Sequence, residues 1–405
     1  MIDHAPSPRP DGRALAPDLA RGIMLLFIAL ANVPWFLYGS PTWGVSAHHA
    51  DGTGLDAVWQ TVAIIAIDAR SYPLFAFLFG YGIWQLHTRQ RAIGLDERSV
   101  RRLLLLRHLW MIVFGAVHAA LLWFGDVLGA YGLVGLLVVL LFLRRGNRTL
   151  LVWAAALFGL LGVLAVALLV AGAVLSPGAD AAFEGPVSQI AAITPYTASI
   201  LPRLGMWAVV TVGQGVLGLV VPVAVLVAIV CARHRVLESP ESYRPLLART
   251  AVLGIALGWA GALPSVLVRH GVWDVPEWTP LLLHGLTGLF GALGYVALIA
   301  LVVASLPTGR PAGTLVRTLT AVGKRSLSCY LLQSVVFAPL LCAWGLGLGG
   351  VLTQWQAALV AVATWLLSAV LAAALEHAGV RGPAERLLRV LAYRDRDPSA
   401  TPTAP

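Results

Sequence analysis

The sequence predicts an all-α protein, a polytopic integral membrane bundle of about ten transmembrane helices with both termini in the cytoplasm. Hydrophobic residues make up 59% of the chain and charged residues only 12%, and the mean hydropathy is +0.82. This composition excludes an ordinary water-soluble domain. Apolar runs of about 20 residues recur, each long enough to cross a hydrocarbon core of roughly 30 Å. Because lipid offers backbone groups no partners, and because the runs do not alternate with period two, we expect helices and not barrel strands.

The individual spans follow from the apolar runs and their polar flanks. In chain order they are 19–39, 58–87, 105–122, 127–143, 150–175, 205–231, 247–268, 280–304, 320–342 and 354–375. The second run is too long for one simple crossing, and Asp68, Arg70 and Pro73 interrupt it. We therefore expect 58–69 to lie at the membrane interface, before a true span at 71–87.

The basic residues orient these spans, because cytoplasmic loops carry the excess of Lys and Arg. With the N-terminus inside, only Arg203 and Arg269 fall on outer loops, and Arg70 lies near the outer part of the second segment. This predicts a multi-pass protein of the cell membrane, whether inner or plasma membrane. The net charge of +9 follows from the same bias and from attraction to anionic headgroups. The predicted partner is therefore the lipid bilayer and not nucleic acid.

The largest predicted outer loop separates two halves of five spans each. The predicted organisation is a disordered cytoplasmic N-terminus at 1–18, a first half at 19–175, an extracytoplasmic loop at 176–204, a second half at 205–394 and a disordered tail at 395–405. The loop is a candidate lid or substrate-facing segment, or a long connector. Cys231, Cys329 and Cys342 show no metal-type spacing, so we expect neither a disulfide nor a metal site, and no cofactor is evident.

His118 is the sharpest candidate for chemistry, because ionisable side chains at membrane depth are costly. It lies toward the outer end of the third span, on one face with Gly115 and Leu122. A histidine here could act as a general base on a sugar hydroxyl or as a proton relay. The alternative is a buried histidine hydrogen-bonded to a neighbouring helix.

Asp126 follows His118 by eight residues, in the outer turn that begins at Trp123. On a continuous helix this spacing is a rise of about 12 Å, too far for a direct bond. Gly125 could end the third span and let Asp126 fold back to orient the imidazole. Asp126 could instead cap the fourth span, since Asp is common at N-caps.

Arg70 is the third candidate catalytic residue. Asp68 is two residues away and does not face it on a helix, so a local ion pair is not expected. Arg70 could pair with Asp126 from another helix, hold an anionic group of a ligand, or anchor the chain at the interface.

Other polar groups fall on defined helix faces. Asp18 and Arg21 can pair at i, i+3 at the inner end of the first span, or contact a cytoplasmic donor. The ninth span carries a stripe of Ser326, Tyr330, Gln333 and Phe337, which either bonds to other helices or lines a passage. A further stripe of His284, Gly288 and Gly291 favours close helix packing, and Gln214 between two glycines indicates an irregular sixth span.

Five segments, in order over roughly residues 15–394, resemble the YeiB-like membrane proteins, domain-of-unknown-function family 418. They are Asp18, Arg21 and Gly22 with Asn32; 70–82 (RSYPLFAFLFGYG); Arg101 and Arg102 with Gly115, His118, 125–128 (GDVL) and Tyr131; 323–334 (GKRSLSCYLLQS); and 382–389 (GPAERLLR). Ala76, Ser328 and Ala384 depart from the family pattern without removing an ionisable group. The family is largely uncharacterised and distantly resembles membrane acyltransferases that move acyl groups from cytoplasmic carriers onto extracytoplasmic sugars.

Two hypotheses for the function follow. The first, which the resemblance implies, is acyl or acetyl transfer from a cytoplasmic donor, such as an acyl-CoA, to an extracytoplasmic glycan or lipid-linked acceptor, with His118 as base and Asp126 or Arg70 assisting. The second is a transporter or flippase of a small or lipid-linked solute, with Arg70, His118 and the ninth-span stripe along its path. The candidate substrate-binding residues are Arg21, Asn32, Tyr330, Gln333 and Ser334.

Overall fold

The computed structural model describes residues 14–42, 46–175, 186–307 and 313–393, and these residues form an all-helical protein without a β-strand. The α-helices are α1 Leu15–Asn32, α2 Leu55–Ala66, α3 Ser71–Ala92, α4 Glu97–Leu121, α5 Leu128–Leu141, α6 Asn147–Val174, α7 Ile200–Val212, α8 Val220–Arg233, α9 Arg244–Ala260, α10 Leu263–Arg269, α11 Leu281–Ala304, α12 Thr314–Lys324, α13 Ser326–Leu341, α14 Gln354–His377 and α15 Pro383–Tyr393. Short 3₁₀ turns follow α1 (Val33–Phe36) and precede α7 (Pro186–Ala192 and Tyr196–Ser199).

Eight helical segments among the described residues are long and apolar enough to cross a membrane, which confirms a multi-pass helical membrane protein. Each of the ten predicted spans corresponds to a helical segment, but α5, α8 and α13 are shorter apolar helices. The 14 residues of α5 rise only about 21 Å, less than a hydrocarbon core of roughly 30 Å. The count of ten spans and the cytoplasmic termini therefore stay predictions.

Two predicted irregularities are confirmed. The second segment breaks between α2 and α3, where Ala69 has a φ of 58°. The sixth span contains a π-helical turn at Gly213–Leu217 and then breaks before α8, where Leu219 has a φ of 60°. Non-helical backbone at membrane depth needs polar partners from the protein itself. At the break between α2 and α3 the buried Arg70 supplies such a partner.

The predicted boundaries differ from the structure at the start of each half. Helix α1 begins at Leu15, four residues before the predicted span, and Ala16, Pro17 and Asp18 of its first turn are already buried. The rest of the N-terminus that was predicted to be disordered, 1–13, lies outside the described residues. The predicted disordered tail, 395–405, lies outside them as well. Of the predicted outer loop 176–204, residues 176–185 also lie outside them, while α7 begins at Ile200, before the predicted sixth span.

Small residues decide which helices touch. A Cβ added at Gly22 of α1 would lie 2.0 Å from the carbonyl oxygen of Leu319, and one at Gly323 of α12 would lie 1.8 Å from that of Asp18. Only glycine permits this approach of α1 to α12. The same holds for α9 and α11, where the backbones meet at Gly258 and Gly291 among others. The glycines of two family-like segments are therefore structural.

Loops predicted on one side of the membrane gather at one end of the bundle. The Tyr38 hydroxyl donates to the Gly347 carbonyl at 3.0 Å, and the Ala343 N–H donates to the Ala191 carbonyl at 2.9 Å. At the other end, Arg233 donates to the carbonyl of Arg145 at 2.8 Å. We call these the predicted outer end and the predicted inner end.

Candidate functional site

The candidate site lies at the predicted outer end of α4. Asp96 starts this helix by accepting from the N–H groups of Arg98 and Ser99. The helix closes on its last turn, where the N–H groups of Leu122 and Trp123 both donate to the His118 carbonyl at 2.8 and 3.1 Å. The chain then reverses through Gly125 into α5, so the residue after Gly125 returns toward His118.

Asp126 serves His118 and α5 at once. Its Oδ2 lies 2.7 Å from Nδ1 of His118, and its Oδ1 accepts from the N–H groups of Leu128 and Gly129 at 2.8 and 3.2 Å. The sequence offered these as alternatives, an imidazole partner or a helix cap. The two oxygens of one carboxylate allow both, because each oxygen has its own lone pairs.

Both members of this pair are buried: His118 is 5% exposed and Asp126 0%. Gly115 on α4 provides the space, since a Cβ there would lie 2.5 Å from Oδ1 of Asp126. Gly115, His118 and Asp126, which belong to one family-like segment of the sequence, thus pack together as one unit. A buried charge without partners would raise the free energy of the folded state. The hydrogen bonds of Asp126 are therefore needed to stabilise its carboxylate at this position.

Tyr330 of α13 completes the pair from across the bundle. Its hydroxyl accepts from the Val127 N–H at 3.2 Å and lies 3.4 Å from Oδ2 of Asp126, and its ring contacts the His118 ring edge-on at 5.7 Å between centroids. The prediction that the ninth-span stripe bonds to other helices is confirmed for Tyr330.

The contact with Asp126 orients the imidazole of His118. A carboxylate beside Nδ1 accepts a hydrogen bond from Nδ1–H, and in the neutral imidazole of that tautomer Nε2 carries the lone pair. Nε2 is buried, and it has no hydrogen-bond partner within the part of the chain that the structure describes. This is the arrangement of a general base whose second nitrogen is oriented by an acid.

An aromatic cluster lies at the turn that follows α4. Phe36 stacks on Trp123 with ring centroids 4.3 Å apart and meets Phe337 edge-on at 5.6 Å. Ile190, from the 3₁₀ turn before α7, packs into the same cluster. Ile190 also lines a cavity of about 620 Å³, together with Gln189, Ala192, Ile193, Pro202 and Met206. The cavity therefore borders the cluster that contains Trp123, whose backbone N–H donates to the His118 carbonyl.

Arg203 fixes the end of α4 beside this cavity. It is 2% exposed, donates to the Ala120 carbonyl at 2.7 Å and lies over the Tyr196 ring at 4.8 Å. The Tyr196 hydroxyl donates to the Leu121 carbonyl at 2.8 Å. Sequence reasoning placed Arg203 on an outer loop without a role. Its rarity as an outer arginine was the available signal.

The prediction that Arg70 could pair with Asp126 is wrong. Arg70 is 0% exposed and donates to the carbonyls of Ile64, at 3.0 Å, Asp68 and Gly258. Its guanidinium also contacts Nε2 of His284. These acceptors surround the break between α2 and α3, so Arg70 replaces the missing helical hydrogen bonds there.

The glycine stripe of α11 makes room for this broken segment. A Cβ at Gly288 would lie 2.2 Å from the Ala69 carbonyl oxygen, and one at Gly291 would lie 3.1 Å from Arg70. The interpretation that Gly288 and Gly291 allow close packing is confirmed. His284 of the same stripe is a hydrogen-bonding partner of Arg70.

A second histidine–aspartate pair, which sequence reasoning missed, lies next to this break. His48 Nε2 is 2.7 Å from Oδ2 of Asp68, and Nδ1 is 3.3 Å from Oε1 of Gln354. The Gln354 amide donates to the Ala47 carbonyl at 2.8 Å, so its oxygen must face His48. Burial lowers the pKa of His48, but the charge and hydrogen bond of Asp68 outweigh it and the pKa is raised.

The remaining predicted substrate-binding residues are distributed through the bundle. Arg21 bonds Asp18 at 2.9 Å and the Leu78 carbonyl at 3.0 Å, which confirms the predicted i, i+3 pair. Gln333 is buried and donates to the Leu25 carbonyl at 2.9 Å. Ser334 is also buried, and Asn32 ends α1 at the 3₁₀ turn. Of these residues and Tyr330, only Tyr330 touches the His118–Asp126 pair.

The fold and site define a class: a multi-pass α-helical membrane protein with a buried histidine–aspartate pair at one end of its bundle. Comparison with known proteins gives a family match over part of the chain and relatives that align over nearly all of it. Residues 231–395 match the family described as "Protein of unknown function (DUF418)". The chain is 26% identical over 410 residues to the uncharacterized protein YxaH of Bacillus subtilis (strain 168), which covers 95% of this chain and 96% of YxaH. It is 26% identical over 414 residues to the uncharacterized protein YeiB of Escherichia coli (strain K12), covering 97% and 99%.

A third relative is similar over a shorter stretch. The uncharacterized 39.9 kDa protein in the amylase 3'region of Bacillus acidopullulyticus is 34% identical over 129 residues, 32% of this chain and 34% of that protein. No solved structure matches the chain. The family match and the two relatives that align over nearly the whole chain support the resemblance to the YeiB-like proteins of the DUF418 family.

Proposed function

We propose that this protein, in the cell membrane, transfers an acyl or acetyl group from a cytoplasmic thioester donor to a hydroxyl of an extracytoplasmic acceptor, with His118 as general base. The observation that carries the proposal is the unpartnered, buried Nε2 of His118, whose other ring nitrogen is held by Asp126 at 2.7 Å. A base needs a free lone pair and a fixed tautomer, and this pair supplies both.

The proposed reaction runs through ordinary acyl transfer. Nε2 of His118 removes the proton of the acceptor hydroxyl while its oxygen attacks the thioester carbonyl. The C–S bond then breaks, and the leaving thiolate takes the proton from Nε2, which restores the neutral imidazole. Asp126 stabilises the imidazolium formed between these steps. The products are an acylated acceptor and a free thiol.

The position of His118 sets the geometry of the two substrates. The cavity of about 620 Å³ borders the aromatic cluster at the predicted outer end, and we assign the acceptor to that side. From Glu97 at the inner end of α4 to His118 the helix rises about 32 Å. The thioester of a cytoplasmic donor therefore has to cross most of the bilayer to meet the base. This requirement makes the sidedness of the reaction a direct test.

The first experiment measures acyl transfer by the purified protein in liposomes. Radiolabelled acetyl-CoA is supplied with a panel of sugars, glycans and polyprenyl-linked sugars. We expect label to appear on an acceptor, and we expect His118→Gln to lower the rate by about 100-fold or more. The matched control is His377→Gln, since His377 is an exposed histidine at the end of α14. A folded His118→Gln protein with unchanged activity would remove His118 from the mechanism.

A second candidate function, transport, is favoured by the broken segment at Arg70. Discontinuous helices with buried polar groups at the break often bind solutes in transporters. Here Arg70 and His284 meet at such a break, and the Arg70 side chain is 0% exposed. Solute flux across the same liposomes, lost in Arg70→Ala and unaffected by His118→Gln, would favour transport over acyl transfer.

A further inference from the structure

A basic cleft lies at the predicted inner end, away from the His118 site. Its volume is about 540 Å³, and its lining consists of Trp84, His87, Glu97, Leu143, Arg144, Arg145, Gly146 and Arg233. The cleft is formed where the ends of α3 and α8 and the start of α4 meet the short connection between α5 and α6. It draws on four separate parts of the chain.

Arg233 shapes the cleft and holds the connection that carries the other two arginines. Its guanidinium donates to the carbonyls of Leu143 and Arg145 at 3.0 and 2.8 Å and to Oδ1 of Asn147 at 2.8 Å. The same guanidinium lies over the Trp84 ring at 4.4 Å. The Arg233 side chain thus holds residues 143–147 against Trp84 of α3. The backbone that presents Arg144 and Arg145 is fixed in advance.

Arg144 and Arg145 are exposed, and their guanidinium groups have no hydrogen-bond or ion-pair partner among the residues that the structure describes. The one carboxylate of the cleft, Glu97, is already occupied. It lies 3.3 Å from Nε2 of His87 and 3.8 Å from Nε of Arg91. Three arginines against one engaged carboxylate give the cleft an excess of positive charge.

Positive-inside topology explains why arginines lie on this side, but it does not explain their convergence on one preformed cleft with an indole wall. Guanidinium groups bind phosphate oxygens through paired N–H donors, and two neighbouring arginines suit a diphosphate or a phosphodiester. Trp84, whose ring contacts Arg233 and His87, and the buried Leu143 contribute the apolar part of the lining.

We propose that the cleft between Trp84, Arg144, Arg145 and Arg233 binds a phosphate-bearing ligand at the cytoplasmic face. This chemistry has two sources: the phosphates of a soluble nucleotide-type molecule such as coenzyme A, and the headgroup of an anionic lipid. A soluble ligand of this kind is the donor of the proposed acyl transfer, so the inference then rests on the proposed function. For a lipid headgroup it does not.

The test compares two arms with the full-length chain. In the first, the protein in nanodiscs of phosphatidylcholine is titrated with coenzyme A and with inorganic pyrophosphate. In the second, native mass spectrometry measures retention of phosphatidylglycerol against phosphatidylcholine. The variant is Arg144→Ala/Arg145→Ala, and the control is Arg148→Ala, which removes an exposed arginine in the first turn of α6 that does not line the cleft. Thermal melting of each variant checks its fold.

We expect the double variant to weaken binding in one arm by about tenfold or more, while Arg148→Ala changes it by less than about twofold. Loss of coenzyme A or pyrophosphate binding identifies the soluble source, and loss of phosphatidylglycerol retention identifies the lipid. Equal binding by wild type and double variant in both arms, or none by the wild type, would overturn the inference. Coenzyme A carries no acyl group, so binding is measured without turnover, and its failure leaves the test of His118 intact.

Discussion

The carboxylate of Asp126 orients His118 with one oxygen, at 2.7 Å, and starts α5 with the other. We predict that Asp126→Asn separates these two roles. The amide oxygen can still accept from the Leu128 N–H, but the side chain no longer carries the charge that stabilises an imidazolium. Acyl transfer should fall by about 100- to 10,000-fold.

The measurement is the initial rate of label transfer in liposomes, together with a melting curve. Asp126→Ala serves as the comparison, since it removes the cap as well and should also lower stability by about 1 kcal/mol. If Asp126→Asn transferred acyl groups at the wild-type rate, the carboxylate would be a cap only.

The hydroxyl of Tyr330 links α13 to the turn that carries Asp126. Tyr330→Phe leaves the partly buried Val127 N–H without this acceptor, so the free energy of unfolding should fall by about 1–3 kcal/mol. The comparison is Tyr243→Phe. In the wild type the Tyr243 hydroxyl donates to the His234 carbonyl at an exposed position. That variant should lose less than about 1 kcal/mol, because water can replace the bond. Urea unfolding in detergent measures both.

The contact of α1 with α12 depends on glycine at Gly323. The backbone of Asp18 leaves no room for a methyl group, so Gly323→Ala should lower the free energy of unfolding by about 1–3 kcal/mol. Gly159→Ala in α6 is the matched control, because nothing lies within 4 Å of its added Cβ. It should stabilise the helix by up to about 1 kcal/mol. Equal losses in both variants would show that the close approach is not needed.

The pair of His48 and Asp68 predicts a pH dependence. Because the pKa of His48 is raised in the folded protein, the pair stabilises fully below the ordinary value of 6.5. Its contribution is lost as the pH rises through the raised pKa. The charge of Asp68 favours the protonated form of His48, and the charge of Arg269 disfavours it.

Hydrogen exchange of residues 46–54 measures this effect, since His48 ties that loop to the break between α2 and α3. Protection should fall as the pH rises above neutrality, after correction for the intrinsic exchange rate. In His48→Gln the corrected protection should be lower and should not depend on pH over this range. A wild-type loop whose corrected protection is constant would show that His48 does not titrate there.

Hydropathy and charge predicted the helical membrane fold, because the cost of burying backbone and charge in lipid acts on every residue locally. The breaks at Asp68–Arg70 and near Gln214 were also predictable, since polar and glycine residues interrupt apolar runs. The His118–Asp126 pair was foreseen as one of two alternatives, because both residues lie within eight positions and Gly125 can end a helix.

The partners of Arg70 could not be predicted in this way. Gly258 and His284 lie about 190 and 210 positions away, and only helix packing brings them to the break. His48 and Gln354 are likewise joined across the whole chain, from a loop with no periodic pattern. One sequence reports local preference, whereas these hydrogen bonds depend on which helices become neighbours.

The proposed function is tested most directly by a reaction with its substrates on opposite sides of the membrane. Proteoliposomes are loaded with radiolabelled acetyl-CoA, external donor is removed, and the acceptor panel is added outside. The account predicts acetylated acceptor outside, free coenzyme A inside and loss of both in His118→Gln. Acetylation only when donor and acceptor share one side, or an equal rate in a folded His118→Gln protein, would contradict it.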